Sequence, residues 1–166
     1  MYLWQIDMKN DKPQNGRGVM LITGATSGFG AAASRMAATK GFQLVLTGRR
    51  GERLRALQSE LGRAVLKILD FDVRDLLATQ QALAALTEAE IPNVLVNNAG
   101  LAVGKEPIDQ GFYEDWNRMI DTNVKGLLHV TRELTPRMRA GARIINIGSI
   151  AGRQAYPGGA VYNASK

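Results

Sequence analysis

The stretch Val19-Met20-Leu21-Ile22-Thr23-Gly24-Ala25-Thr26-Ser27-Gly28-Phe29-Gly30 decides how the rest of this chain is read. Four consecutive apolar residues, ended by Thr23-Gly24, have the length and composition of a strand buried on both faces. Residues 24–30 then place glycines in a G-x-x-x-G-x-G pattern. Residues 31–40 are alanine-rich with helical period, and Gly41 stands where a helix C-terminus is expected. Between a strand and a helix, glycines let the backbone turn tightly and approach a pyrophosphate, whose charge is drawn by free N–H groups and the helix dipole. The spacing is one residue off G-x-G-x-x-G, and glycine-rich turns after strands are also plain structural punctuation. The flanking strand and helix are what make this turn a candidate anion site.

Outward from it, the same alternation repeats. Residues 42–47 (FQLVLT) read as a second buried strand and 52–61 as a helix. Residues 64–69 read as a third strand, and 75–89 as a helix with Asp75 as its cap. A fourth strand follows Pro92 over 94–96, helical spacing runs from about 113 to 138, and residues 143–147 (RIINI) make a fifth strand. Strands alternating with helices predict an α/β fold, a doubly wound parallel sheet of the Rossmann type with about five strands where the complete arrangement has six. Residues 1–18 show no period and read as a partly disordered extension, so the domain is placed at 19–166. Residues 160–166 look like the start of a helix.

Composition narrows the class. A length of 166 residues predicts one domain, and 45% apolar with 22% charged residues excludes a disordered or fibrous chain. With no cysteine and a single histidine, His129, a disulfide framework, a thiolate nucleophile and a multi-histidine metal centre are excluded. No apolar run is long enough to span a membrane, and the N-terminus lacks the apolar core of a signal peptide, so a cytoplasmic protein is the default expectation. The formal charge of +6 admits nucleic acid, an anionic membrane or an anionic small molecule as partner. The 21 basic residues are spread along the chain and only 6% of residues are aromatic, which argues against nucleic acid.

The end of the second strand holds Arg49 and Arg50. An NAD-binding unit would place Asp or Glu there for the ribose 2′-hydroxyl, whereas a guanidinium binds a 2′-phosphate, so NADP is the expected cofactor. Alternatively, these arginines are solvated charges at a strand end. Asp72, followed by Val73 after the third strand, either faces an adenine ring or merely approaches the next helix.

Four further groups complete a pattern: Asn97-Asn98-Ala99-Gly100, Asn123, Ser149, and Tyr162 with Lys166 thirteen and seventeen residues after that serine. With the glycine turn they resemble the short-chain dehydrogenase/reductase family, in which T-G-x-x-x-G-x-G, N-N-A-G, Asn, Ser and Y-x-x-x-K occur in this order. The resemblance covers 19–166 without a gap. Thr47-Gly48-Arg49-Arg50, Asn98-Ala99-Gly100-Leu101-Ala102, Met119-Ile120-Asp121-Thr122-Asn123 and Ile145-Asn146-Ile147-Gly148-Ser149 look like the NADP-dependent 3-hydroxy acid (serine) dehydrogenase subgroup. This implies hydride transfer between NADP(H) and a small hydroxy acid or semialdehyde. It also implies cofactor contacts from Gly24, Thr26, Ser27, Gly28, Phe29, Gly30, Arg49, Arg50, Asp72, Val73, Asn98, Ala99, Gly100, Tyr162 and Lys166. Ser149 would hold the substrate oxygen, and Asn123 would support a proton-relaying water.

The expected base, Tyr162, passes a chemical check. Tyrosine at pKa ~10 is too weakly acidic to serve as base at neutral pH. Tyr162 and Lys166, four residues apart, share a helix face. An ammonium ~4 Å away is worth about 4 kcal/mol at an effective dielectric of 20, roughly three pKa units. Family members continue beyond the Tyr-Lys motif with further strands and a substrate-covering segment. The resemblance therefore implies that these residues alone are incomplete and inactive, and that a full-length form is a homotetramer. The alternatives are a non-catalytic NADP-binding module and a 3-oxoacyl carrier-protein reductase. Trp116 and Met119 are expected in the core, and His129 in packing or at the surface. Arg153 is assigned no site.

Overall fold

The structure is a computed structural model that describes residues 17–166. Residues 1–16, which carry most of the expected N-terminal extension, lie outside the described residues. The chain runs β1 (Val19–Ile22), α1 (Gly28–Thr39), β2 (Gln43–Gly48), α2 (Gly51–Leu61), β3 (Val65–Asp70), α3 (Leu76–Ala84), β4 (Val94–Asn97), α4 (Tyr113–Ile120), α5 (Gly126–Leu134), β5 (Arg143–Asn146) and α6 (Ala160–Ala164). All five strands form one parallel sheet in the order β3-β2-β1-β4-β5. The chain steps outward from β1 to β3 and then returns to β4 on the other side, so the order reverses between β1 and β4. In open sheets of this kind ligands bind at the carboxyl ends of the strands flanking such a reversal.

Two apolar layers explain why the strands read as unbroken apolar runs. Leu21, Val45 and Leu95 point to the face covered by Leu83, Val130 and Leu134 of α3 and α5. Ile22, Leu44, Leu46 and Val96 point to the face covered by Ala37, Leu54 and Leu57 of α1 and α2. With both faces covered, neighbouring positions on a strand are equally apolar, and each fully buried Leu or Ile contributes about 1.5–3 kcal/mol. The edge strand β5 differs, since Ile144 and Ile145 are exposed.

Several element bounds move. Helix α1 starts at Gly28, three residues before the expected Ala31, so the last two glycines of the turn lie in its first turn. Its end is as read: Gly41 has φ +83°, its N–H donates to Ala38, and the Phe42 N–H donates to Ala37, closing a Schellman motif. Asp75 caps α3 by accepting from the Ala78 N–H at 2.9 Å. That helix stops at Ala84 rather than 89, because the Arg137 guanidinium takes up the Leu83 and Leu86 carbonyls at 2.6 Å each while the Thr87 N–H donates to Glu90. The expected helix over 113–138 is divided by a π-helical turn at Asp121–Lys125. Met119 is buried, but Trp116 is only half-buried and packs edge-to-face on Tyr113 with ring centroids 5.0 Å apart. Among the described residues no helix is long and apolar enough to cross a membrane.

Candidate active site

A cavity of about 600 Å³ opens at the carboxyl ends of the strands, across the β1/β4 reversal. Its floor is the glycine turn. Gly24 has φ +65°, and a Cβ there would press on the Ala99 backbone at 2.9 Å, so only glycine lets the two loops meet. A Cβ on Gly30 would strike the Gly24 carbonyl oxygen, so this glycine seats α1 against the turn. Gly28 faces open space with φ +53° at the first turn of α1, where unpaired N–H groups and the helix dipole favour an anion.

The Asn98 loop is tied to this floor. Thr23 Oγ1 accepts from the Asn98 and Ala99 N–H groups at 3.0 and 2.9 Å, and Asn98 Nδ2 donates to the Thr23 and Gly24 carbonyls at 2.8 and 3.2 Å. Next to it, Asn97 Nδ2 donates to Thr131 Oγ1 and Asn146 Oδ1, both at 2.9 Å, clamping β4 to α5 and β5. Arg50 reaches back to the turn, with Nη2 donating to Thr26 Oγ1 at 2.9 Å and Ser27 Oγ at 2.8 Å. Arg49 leans toward Asp72, with Nη1 3.4 Å from Oδ2. Asp72 also takes three hydrogen bonds from Arg74. Burial works to raise the Asp72 carboxyl. The side-chain and backbone hydrogen bonds of Arg74 outweigh it, with the Arg74 and Arg49 charges adding, and hold the group below the usual carboxylate range. His129 Nδ1 bonds the Val73 carbonyl at 2.9 Å, so the lone histidine anchors the segment after β3.

At the other end of the cavity stand Ser149, Tyr162 and Lys166. Ser149 caps a short turn by accepting from the Ala151 N–H at 3.2 Å, which leaves its own O–H to donate. Lys166 Nζ donates to the Ile147 carbonyl at 2.7 Å, just past the end of β5.

Residues 24, 26–29, 49, 50, 72, 73, 98–100, 149, 162 and 166 of the expected site all line this one cavity, and Gly30 and Asn123 do not. Gly30 acts behind the wall through close packing. Asn123 is buried in the π-helical turn, where Oδ1 accepts from the Leu101 N–H at 2.9 Å and Nδ2 donates to the Leu101 carbonyl and Ser165 Oγ at 2.9 and 2.8 Å. Both its N–H donors are committed, so its amide braces the loop and α6. The motifs contain Thr23 and Asn97 without giving either a role, and Arg74 and Ser165 carry no sequence signal of their own, because the partners of all four become neighbours only on folding.

A parallel sheet with a glycine turn at its reversal, and Ser149, Tyr162 and Lys166 across the crevice, defines an α/β class of the Rossmann type. The chain belongs to the short-chain dehydrogenase family, whose model matches residues 18–166. It is 50% identical over 153 residues to sulfoacetaldehyde reductase 2 of Chromohalobacter salexigens, covering 89% of this chain and 61% of that protein. It is 49% identical over 152 residues to the NADP-dependent 3-hydroxy acid dehydrogenase YdfG of Escherichia coli K12, covering 89% and 60%. The closed form of serine dehydrogenase complexed with NADP+ superimposes with a TM-score of 0.85 at 48% identity, covering 89% of this chain and 60% of that one. The chain thus spans about 60% of the length of the curated relatives it matches.

Proposed function

We propose that the chain binds NADP(H) in this crevice and supplies the acid–base group for hydride transfer at a small hydroxy acid or semialdehyde. The observation that carries the reading is the single cavity lined at one end by Gly28, Arg49 and Arg50 and at the other by Ser149, Tyr162 and Lys166. The residues fit such a cofactor. Gly28 leaves open space at a helix N-terminus for a pyrophosphate, and Arg49 and Arg50 stand where a 2′-phosphate needs cations. When bound, the nicotinamide donates or accepts the hydride.

Tyr162 gives its proton to the substrate oxygen in reduction and takes one from the alcohol in oxidation. The Ser149 O–H donates to that same oxygen. Lys166, fixed by the Ile147 carbonyl, retains two ammonium protons for the tyrosine and the cofactor. Asn123 keeps α6 in place through Ser165. The substrate class is supported by relatives whose names specify a sulfonated aldehyde and a 3-hydroxy acid. Titration of NADPH fluorescence with the protein tests the binding; NADPH consumption with sulfoacetaldehyde and semialdehydes, and NADPH formation from NADP+ with hydroxy acids, test the chemistry. Saturable NADPH binding that is stronger than NADH binding is expected. Absence of binding by either cofactor contradicts the proposal.

A further inference from the structure

Arg74 does not line the cavity, and proton transfer makes no use of it, yet it makes the shortest contacts at the Asp72 carboxylate. Its Nη2 and Nε donate to Oδ2 at 2.7 and 2.9 Å, and its backbone N–H donates to Oδ1 at 3.0 Å. Arg49 approaches the same Oδ2 from the cavity side at only 3.4 Å. One carboxylate oxygen is therefore shared by two guanidiniums, and Arg74 holds it with two donors. Asp72 is itself part of the cavity wall beside Arg49. Without Arg74 its charge would act twice against a phosphate bound there, repelling the anion directly and drawing Arg49 away from it.

We infer that Arg74 is a positioning residue for cofactor specificity: by engaging Asp72 it leaves Arg49 to the 2′-phosphate. The inference rests on the NADP(H) reading of the cavity. Since the Arg74 and Asp72 side chains are 35% and 24% exposed, water screens the pair and the effect is severalfold rather than many orders of magnitude.

The test is calorimetric binding of NADPH and of NADH to the wild type, Arg74→Ala, Arg74→Lys, Asp72→Asn and the Arg74→Ala/Asp72→Asn double variant. In Arg74→Ala, NADPH affinity falls about fivefold and NADH affinity less than about twofold. Arg74→Lys keeps the charge and holds the NADPH-to-NADH ratio within about twofold of wild type. In the Asp72→Asn background, removing Arg74 leaves the ratio unchanged. The backbone N–H at position 74 persists in every variant, so the loop keeps that bond. Equal weakening of both cofactors in Arg74→Ala, an unchanged ratio, or the same ratio change persisting in the Asp72→Asn background would overturn the inference. A wild type with no NADPH preference overturns the NADP(H) reading as well, whereas a preference that Arg74→Ala leaves intact overturns the role of Arg74 alone.

Discussion

The two ends of the cavity are built differently. At the proposed cofactor end, the glycine turn and the arginines rise from β1 and β2, whose Leu21, Ile22, Leu44, Val45 and Leu46 have no exposed surface. At the proposed acid–base end, Ser149, Tyr162 and Lys166 follow β5, with Ser149 at the cap of a short turn and Tyr162 on α6. Two hydrogen bonds tie the residues after α6 to their surroundings, Asn123 to Ser165 and Lys166 to Ile147, while Ala151 to Ser149 closes the turn after β5. Core packing fixes the first end, whereas a few polar contacts fix the second. The cofactor end should therefore tolerate loss of a single polar contact, and the acid–base end should not.

The sharpest way to separate the two ends is Tyr162→Phe. Turnover should fall by about 10²–10⁴ while NADPH affinity changes far less, as read by steady-state kinetics beside calorimetry. Comparable losses in both would break the division. Next in size, Gly30→Ala drives a Cβ into the Gly24 carbonyl and should cost about 1–3 kcal/mol, seen as a lower melting temperature with weakened NADPH binding. Asn123→Ala strips partners from the Leu101 backbone and from Ser165, at a cost of about 1–2 kcal/mol. Hydrogen exchange should quicken at residues 101 and 160–166 while β1 and β4 stay protected. Equal acceleration in β1 would show the ends to be one cooperative unit.

The smallest effect is the pH dependence at Asp72. Its carboxyl is held low in the folded state, so its stabilisation is complete above the unfolded value of about 3.9 and is lost as pH falls through the lower folded value. Melting temperatures should therefore decline more steeply on acidification in wild type than in Asp72→Asn. Parallel curves would mean that the Arg74 and Arg49 contacts contribute nothing to stability.

What the sequence reveals follows the same division. The five strands are legible to within a residue or two because buried parallel strands carry apolar runs, as in Val19–Ile22. The glycine turn is legible too, although its helix begins three residues early: position at a helix start overrides the poor propensity of Gly28 and Gly30. The break at Asp121–Lys125 carries only a weak local mark, the mediocre helix propensities of Asp121, Thr122, Asn123 and Val124, and the turn is braced through Asn123 by Leu101, twenty-two residues back. Thr23 and Arg74 are silent for different reasons. The hydroxyl of Thr23 is used by amides 75 and 76 residues away, and Arg74 matters only because Asp72 also meets Arg49 at the end of the neighbouring strand.

If the arginine end of the cavity receives a 2′-phosphate, calorimetric binding of NADPH and NADH to wild type and Arg49→Asp shows it directly. Wild type should bind NADPH more tightly. The reversal of charge should weaken NADPH binding by about 10–100-fold while NADH binding holds or improves, inverting the preference. An NADPH-to-NADH ratio in Arg49→Asp equal to that of wild type would contradict the account.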